Sequence, residues 1–346
     1  MLWVAVAVGL VVLIAPEVVS ARLQQSFFGV NPQVPLSKPD FARMRGTIGS
    51  VRLSAVWPQL EPRQGHWDFG ELDRLIGESA QQDIRVLLEL YGTPPWINPV
   101  SADPPSSRAE TLAWLGFVRR VVHRYGPDGS FWHGRRRRLP VHSWQIWNEP
   151  NFLLFWQPRP EPRHYAELLR LTAHAIRTVD PRARIIAAGV APVEGGIPPA
   201  RFLREMYSVR GVKDSFDVAA LHPYASSVRG VEYEIQQIRQ VMAAAGDSHS
   251  PLRLTEIGVA SAADSPTAFN KGWRGQARYL SRTFEMLIAN RRRWRIAGVD
   301  WFSWRDGPPD PHCVFCEFSG LVRANGRPKP ALRALRRLVR QAQLGA

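Results

Sequence analysis

Short apolar runs rich in β-branched residues alternate along this chain with stretches whose apolar positions recur at helical spacing. The runs at 26–30, 50–57, 84–91, 141–148, 184–190, 216–222, 252–257 and 297–304 read as strands. Most are nearly continuous in apolar residues, as expected for strands covered on both faces. Between them, 161–179 places Tyr165, Leu168, Leu169, Ile176 and Val179 on one helical face, and Ile235, Ile238 and Met242 repeat the pattern. Asp180-Pro181 and Ala245-Gly246-Asp247 then supply stop signals just before the next strand. This rhythm of βα units predicts an α/β protein, a (β/α)8 TIM barrel filling one domain over 22–346. A doubly wound sheet shares the rhythm, but Phe27-Phe28-Gly29-Val30-Asn31-Pro32 offers no Gly-x-Gly-x-x-Gly turn to cradle a pyrophosphate. No internal repeat or interdomain linker interrupts the pattern, and the tail from Pro328 reads as a basic amphipathic last helix.

Residues 1–15 are an apolar run, and Val19-Ser20-Ala21 follows Pro16 and Glu17. We read 1–21 as an export signal cleaved after Ala21, or as an N-terminal membrane anchor, which places the protein outside the cell or in its envelope. Apolar residues make up 45% and charged residues 22% of the 346, a balance that suits a globular domain with a large core rather than a disordered chain. The formal net charge of +15 would suit acidic glycans or an anionic envelope. Arginine dominates it all along the chain, and Arg135 to Arg138 read as a solvated loop, so no nucleic-acid partner is expected. Cys313 and Cys316 lack the second pair a zinc site needs, and in an exported protein they are expected to form a disulfide closing a short loop. Neither a metal nor another cofactor is expected.

In such a barrel the reacting groups project from the C-terminal ends of the strands. The fourth run ends Trp147-Asn148-Glu149-Pro150-Asn151, and the seventh ends Thr255-Glu256-Ile257-Gly258. Two carboxylates facing each other across a barrel mouth are what glycoside cleavage requires: one protonates the leaving oxygen and the other attacks the anomeric carbon. Either glutamate alone would read as an ion-paired or turn-capping residue, and Glu61, Glu89 and Glu194 are read that way, with Glu89 expected to meet a nearby arginine. From residue type, Arg52 and the Tyr224 hydroxyl would keep Glu256 ionised, apolar surroundings would keep Glu149 protonated, and Asn148 would bind the sugar 2-hydroxyl. Thirteen tryptophans, several near strand ends, suggest stacking surfaces and a long cleft, with Trp304 as one wall.

Over nearly its whole mature length the chain resembles the retaining glycoside hydrolases of clan A, and the family 39-like members in particular. The Trp-Asn-Glu-Pro-Asn string carries the resemblance. Arg52, His222-Pro223-Tyr224, Trp301-Phe302-Ser303-Trp304 and the segment from Trp57 to Phe69 extend it. The resemblance implies Glu149 as acid/base, Glu256 as nucleophile, and Asn148, Arg52, His222, Tyr224 and Trp304 as substrate-binding residues. It implies an oligo- or polysaccharide substrate, and the tryptophans and the positive charge favour an extended glycan. The alternatives are a transglycosylase or a catalytically silent carbohydrate-binding envelope protein. One departure stands out: many members carry a histidine near the end of the third strand, where this chain has Leu90-Tyr91-Gly92. Either Tyr91 takes over that contact or the sugar presents a different hydroxyl there.

Overall fold

The computed structural model describes residues 23–262 and 267–344, so the segment 1–21 read as signal or anchor lies outside the described residues. Parallel strands close into a barrel in chain order: β1 (Phe28–Asn31), β2 (Ser50–Val56), β3 (Arg85–Tyr91), β4 (Ser143–Ile146), β5 (Arg184–Val190), β6 (Val218–Leu221), β7 (Leu252–Ile257) and β8 (Ile296–Phe302). β1 pairs with both β2 and β8, which completes the ring and leaves no free edge. The expected (β/α)8 architecture is therefore the one observed. The helices are α1 (Lys38–Met44), a short α2 (Trp57–Leu60), α3 (Gly70–Gln81), α4 (Arg108–Tyr125), α5 (Pro162–Val179), α6 (Pro199–Tyr207), α7 (Val228–Ala244), α8 (Gly272–Asn290) and α9 (Pro330–Leu344).

Local chemistry sets these boundaries. α4 opens on a capping box: the Ser107 hydroxyl accepts from the Glu110 amide at 3.2 Å, and the Glu110 carboxylate accepts from the Ser107 amide at 2.8 Å. α5 starts on Pro162, whose missing N–H costs nothing in a first turn, and buries Tyr165, Leu168, Leu169 and Ile176 against the strands. Each such leucine or isoleucine contributes about 1.5 to 3 kcal/mol.

The barrel interior is layered. Near the N-terminal ends of the strands, Arg253 grips the fully buried Asp300 through two bonds of 2.8 and 2.7 Å and donates to Ser50 Oγ at 2.7 Å. Gly29 leaves room for that pair, since a Cβ there would lie 1.6 Å from Asp300 Oδ1. Leu87, Ile186, Val218 and Ala220 form a small apolar cluster. Towards the C-terminal ends Arg52, Glu89, Gln145 and His222 turn the interior polar. The long segment after β8 shapes one side of the mouth. It carries the Cys313–Cys316 disulfide and is tied down by Lys329, which pairs with Asp306 and donates to Ser261 Oγ at 2.7 Å.

Candidate active site

Glu256 stands on β7, and its carboxylate is held from two sides. Arg52 of β2 donates through Nη1 to Oε1 at 2.7 Å, and the Tyr224 hydroxyl donates to Oε2 at 2.6 Å. The same guanidinium donates through Nε to Gln145 at 2.6 Å and through Nη2 to Asn148 Oδ1 at 2.8 Å, and it pairs with Glu89, which also accepts from Ser54 at 2.6 Å. One cation thus ties residues of β2, β3, β7 and the β4 end together. Glu89, read from sequence as an ion-paired bystander, is a third carboxylate of this network. The acceptor role of Asn148 Oδ1 leaves its Nδ2 without a partner among the described residues, free to meet a ligand.

Glu149 reaches the mouth through an unusual turn. β4 ends at Ile146, and Trp147 and Glu149 then take φ of 71° and 34°, a left-handed conformation that costs a non-glycine residue about 1 to 3 kcal/mol. The turn is clamped by Trp147 N–H donating to the Leu90 carbonyl at 2.9 Å, Glu149 N–H donating to that of Gly189 at 3.1 Å, and Asn151 bonding to Ala191 and Ile197. Glu149 Oε1 lies 2.6 Å from His222 Nδ1, while His222 Nε2 lies 3.0 Å from Thr255 Oγ1. No described residue bonds Glu149 Oε2. Gly189 is what lets His222 sit there, since a Cβ would come within 2.1 Å of its Nε2.

The environments of the two glutamates differ. Burial pushes Glu149 up to about 8; the positive charge of Arg52 opposes this and the negative charge of Glu89 adds to it. Burial also raises Glu256, but against the opposing charges of His222 and Arg52 and the Tyr224 hydrogen bond. Burial lowers His222 to about 4, so near neutrality its ring carries no charge and the opposition at Glu256 falls to Arg52 and Tyr224. Only Glu256 touches a cation directly, so of the coupled pair it ionises first.

Three residues expected to bind substrate are buried and engage protein groups. Trp304, expected to wall the sugar site, is completely buried, and its indole N–H donates to Asp40 at 2.9 Å. His222 is also completely buried with both ring nitrogens engaged, so it meets Glu149 rather than a ligand. Arg52 likewise bonds only protein groups. Glu149 and Glu256 keep 6% and 8% exposure, enough to be reached from the mouth. Nor can most of the described tryptophans near the strand ends line a cleft. Trp57, Trp147, Trp156 and Trp301 are fully buried too, and Trp57, Trp114 and Trp147 pack on one another beneath the loops. Phenylalanines border the site instead: half-buried Phe302 and Phe315 pack on Tyr224 with centroids 6.3 and 5.2 Å away, and Phe315 stacks on Phe269 at 4.9 Å. Tyr91, half-buried against Trp147, has no hydrogen-bond partner for its hydroxyl among the described residues.

Among the described residues, Glu149, His222 and Glu256 form a group whose potential ligand atoms lie within 4.8 Å of one another. A metal fits poorly there. Both Glu256 oxygens and His222 Nδ1 are already bonded, and a divalent cation would face the adjacent guanidinium.

No protein-family model matches the chain. A beta-xylosidase of Geobacillus stearothermophilus is 23% identical over 321 residues, 83% of this chain and 58% of that protein's length. Among solved structures, a family 39 glycoside hydrolase from Bacteroides cellulosilyticus superposes with a TM-score of 0.68 at 21% identity, covering 92% of this chain and 63% of the other. A family 39 enzyme from Xanthomonas axonopodis gives 0.69 at 18% identity, covering 92% and 67%. The resemblance to family 39 read from the sequence is thus borne out, while the chain spans less than two thirds of the length of the xylosidase it matches.

Proposed function

We propose that this chain is a retaining glycoside hydrolase acting by double displacement on an oligo- or polysaccharide. The observation that carries the reading is a pair of buried carboxyl groups with oxygens within 4.8 Å, one bound to a guanidinium and the other to a neutral imidazole. Retaining enzymes hold their carboxyl groups about 5 to 5.5 Å apart, whereas inverting ones leave about 6.5 to 9.5 Å for a water. In the first step Glu149 gives its proton to the glycosidic oxygen as that C–O bond breaks, and Glu256 forms an ester to the anomeric carbon. In the second, Glu149 as carboxylate takes a proton from water, whose oxygen displaces Glu256 from the opposite face. Asn148 Nδ2, with Oδ1 taken by Arg52, would donate to the 2-hydroxyl.

A 2-fluoro glycoside with a good leaving group tests this: a stable mass increase on the peptide containing Glu256 supports the reading. Reducing-end release from neutral and acidic glycans, lost in both Glu149→Gln and Glu256→Gln, would name the substrate class. Glycan binding without turnover would leave a silent binding protein, and transfer to an added sugar acceptor would make the enzyme a transglycosylase.

Export and envelope attachment belong to the same proposal. The loops at the mouth carry exposed charges of both signs, Arg63, Arg159 and Arg327 with Asp68, Glu194 and Asp310. The opposite end, from which β1 starts, gathers the exposed Arg135 to Arg138, Arg292 and Arg293 beside the exposed Asp83, which pairs with Arg137, and Asp128, Asp214 and Asp217. That end suits an anionic envelope. Recovery of the protein in the cytosolic fraction of its cells would refute the placement.

A further inference from the structure

Beneath Glu149 runs a chain of buried hydrogen bonds whose direction is determined. It starts at Arg52, which can only donate, and its Nε donates to Gln145 Oε1 at 2.6 Å. This fixes the Gln145 amide, and a second contact agrees: Nε2 faces the Ala187 carbonyl oxygen at 3.2 Å, where only an N–H fits. The other hydrogen of Nε2 points to Thr255 Oγ1 at 3.3 Å, so the threonine hydroxyl accepts there. Thr255 is fully buried, and its own hydrogen has one acceptor among the described residues, His222 Nε2 at 3.0 Å. Leaving a buried hydroxyl without an acceptor costs about 1 to 3 kcal/mol. With Nε2 accepting, the proton of neutral His222 must be on Nδ1, which faces Glu149 Oε1 at 2.6 Å.

We propose that Gln145 and Thr255 are positioning residues: the one-way chain Arg52, Gln145, Thr255, His222 holds the imidazole as its Nδ1–H tautomer, so the proton of Glu149 is kept on Oε2. Oε2 is the oxygen left without a protein partner and therefore the one that can reach a glycosidic oxygen. In the other tautomer Nδ1 would accept, and the Glu149 proton would be drawn inward to Oε1 and away from the substrate. Other ionisable groups around the ring are Glu256, whose Oε2 lies 3.7 Å from Nδ1, with Glu89 and Tyr224 beyond. None of them bonds Nε2, so the tautomer is set through Thr255.

The inference rests on the glycosidase reading for its catalytic consequence but not for its structural one, and the test separates them. Nitrogen-15 NMR of the ring-labelled full chain is expected to show His222 protonated at Nδ1 and unprotonated at Nε2, and to show both tautomers in Thr255→Val. A wild-type signal from Nε2–H overturns the proposal whether or not any glycan is cleaved. In kinetics, Thr255→Val is expected to lose about tenfold or more of kcat on alkyl glycosides, which need a proton at the leaving oxygen, a fraction of the 10²–10⁴ that a general acid supplies. On dinitrophenyl glycosides, which do not need it, kcat/KM, which reports only the first step, should be nearly unchanged, and Thr255→Ser should restore the alkyl rate. Equal losses on both substrates would mean a purely structural threonine and would also overturn the proposal. Absence of all turnover in the wild type would remove the glycosidase reading and leave the tautomer to the NMR.

Discussion

Replacing Glu89 by glutamine tests the charge pattern of the site with little disturbance of its shape. The amide oxygen can still accept from Arg52, and the amide nitrogen can donate to Ser54, so the hydrogen bonds of the third carboxylate survive while its charge goes. That charge is one of the causes holding the Glu149 pKa high, and Arg52 is the opposing one. Removing it leaves Arg52 less neutralised, and the Glu149 pKa falls. Two unit charges about 4 Å apart in an effective dielectric of about 20 interact by about 4 kcal/mol, and at twice that separation by about 2 kcal/mol. At about 1.4 kcal/mol per pH unit, and allowing for relaxation, the shift is about one unit downward. Glu149 must be protonated to act, so activity is lost as pH rises through its pKa. The alkaline limb of kcat/KM should therefore lie near pH 8 in the wild type and near 7 in Glu89→Gln. The assay is kcat/KM against pH on a soluble glycoside, with thermal denaturation as the control for folding. An alkaline limb that stays in place in a folded variant would show that Glu89 does not set the acid, and the charge argument would fail.

Other changes have equally direct readouts. Tyr224→Phe removes a hydrogen bond that lowers the Glu256 pKa, so the acid limb of the same profile should move to higher pH, since Glu256 acts only when ionised. Gly189→Ala puts a methyl group into the His222 ring and should cut kcat by about tenfold or more through misplacement of Glu149; wild-type kinetics would mean the ring is not held as described. Phe315→Ala should raise KM more than it lowers kcat, and the Cys313→Ser, Cys316→Ser double variant should do the same by freeing the loop that carries Phe315. Gly29→Ala forces a side chain against Asp300 and should unfold the barrel at ordinary temperature, read as loss of the cooperative thermal transition.

Sequence patterning identifies every strand of the barrel because its strands are mostly apolar runs, interrupted by only a few buried polar residues, and are separated by helices with stop signals. The runs at 184–190 and 252–257 coincide with β5 and β7. Elsewhere the expected runs differ from the strands by a few residues at one or both ends, as at 141–148, where the ladder stops at Ile146 and the chain turns left-handed to present Glu149. Period and propensity carry no signal for such a turn. The two glutamates are legible because their strand ends are, and the Arg52 and Tyr224 contacts to Glu256 fall where residue type suggests. Trp304 is misread because an indole near a strand end can face inward or outward, and its partner Asp40 lies far away in sequence. His222 is misread for a similar reason: whether a histidine meets ligand or protein depends on what fills the space behind it, here the absent side chain of Gly189. Phe315 and Glu89 go unselected because neither sits in a recognisable string.

The guanidinium of Arg52 bonds side chains from several points around the ring, and this couples substitutions that would otherwise be independent. Changing Glu89, Gln145, Asn148 or Glu256 alters the partners remaining for the others, so pairs of changes among them should depart from the sum of their single effects. A descendant or a laboratory library exploring new chemistry at this mouth would have to change that group in concert. The loop closed by Cys313 and Cys316 has no hydrogen bond to these side chains among the described residues and meets the group only through Phe315 against Tyr224, so it is the part of the mouth most open to piecemeal exchange. Change in what the site recognises is then easier to reach than change in what it does.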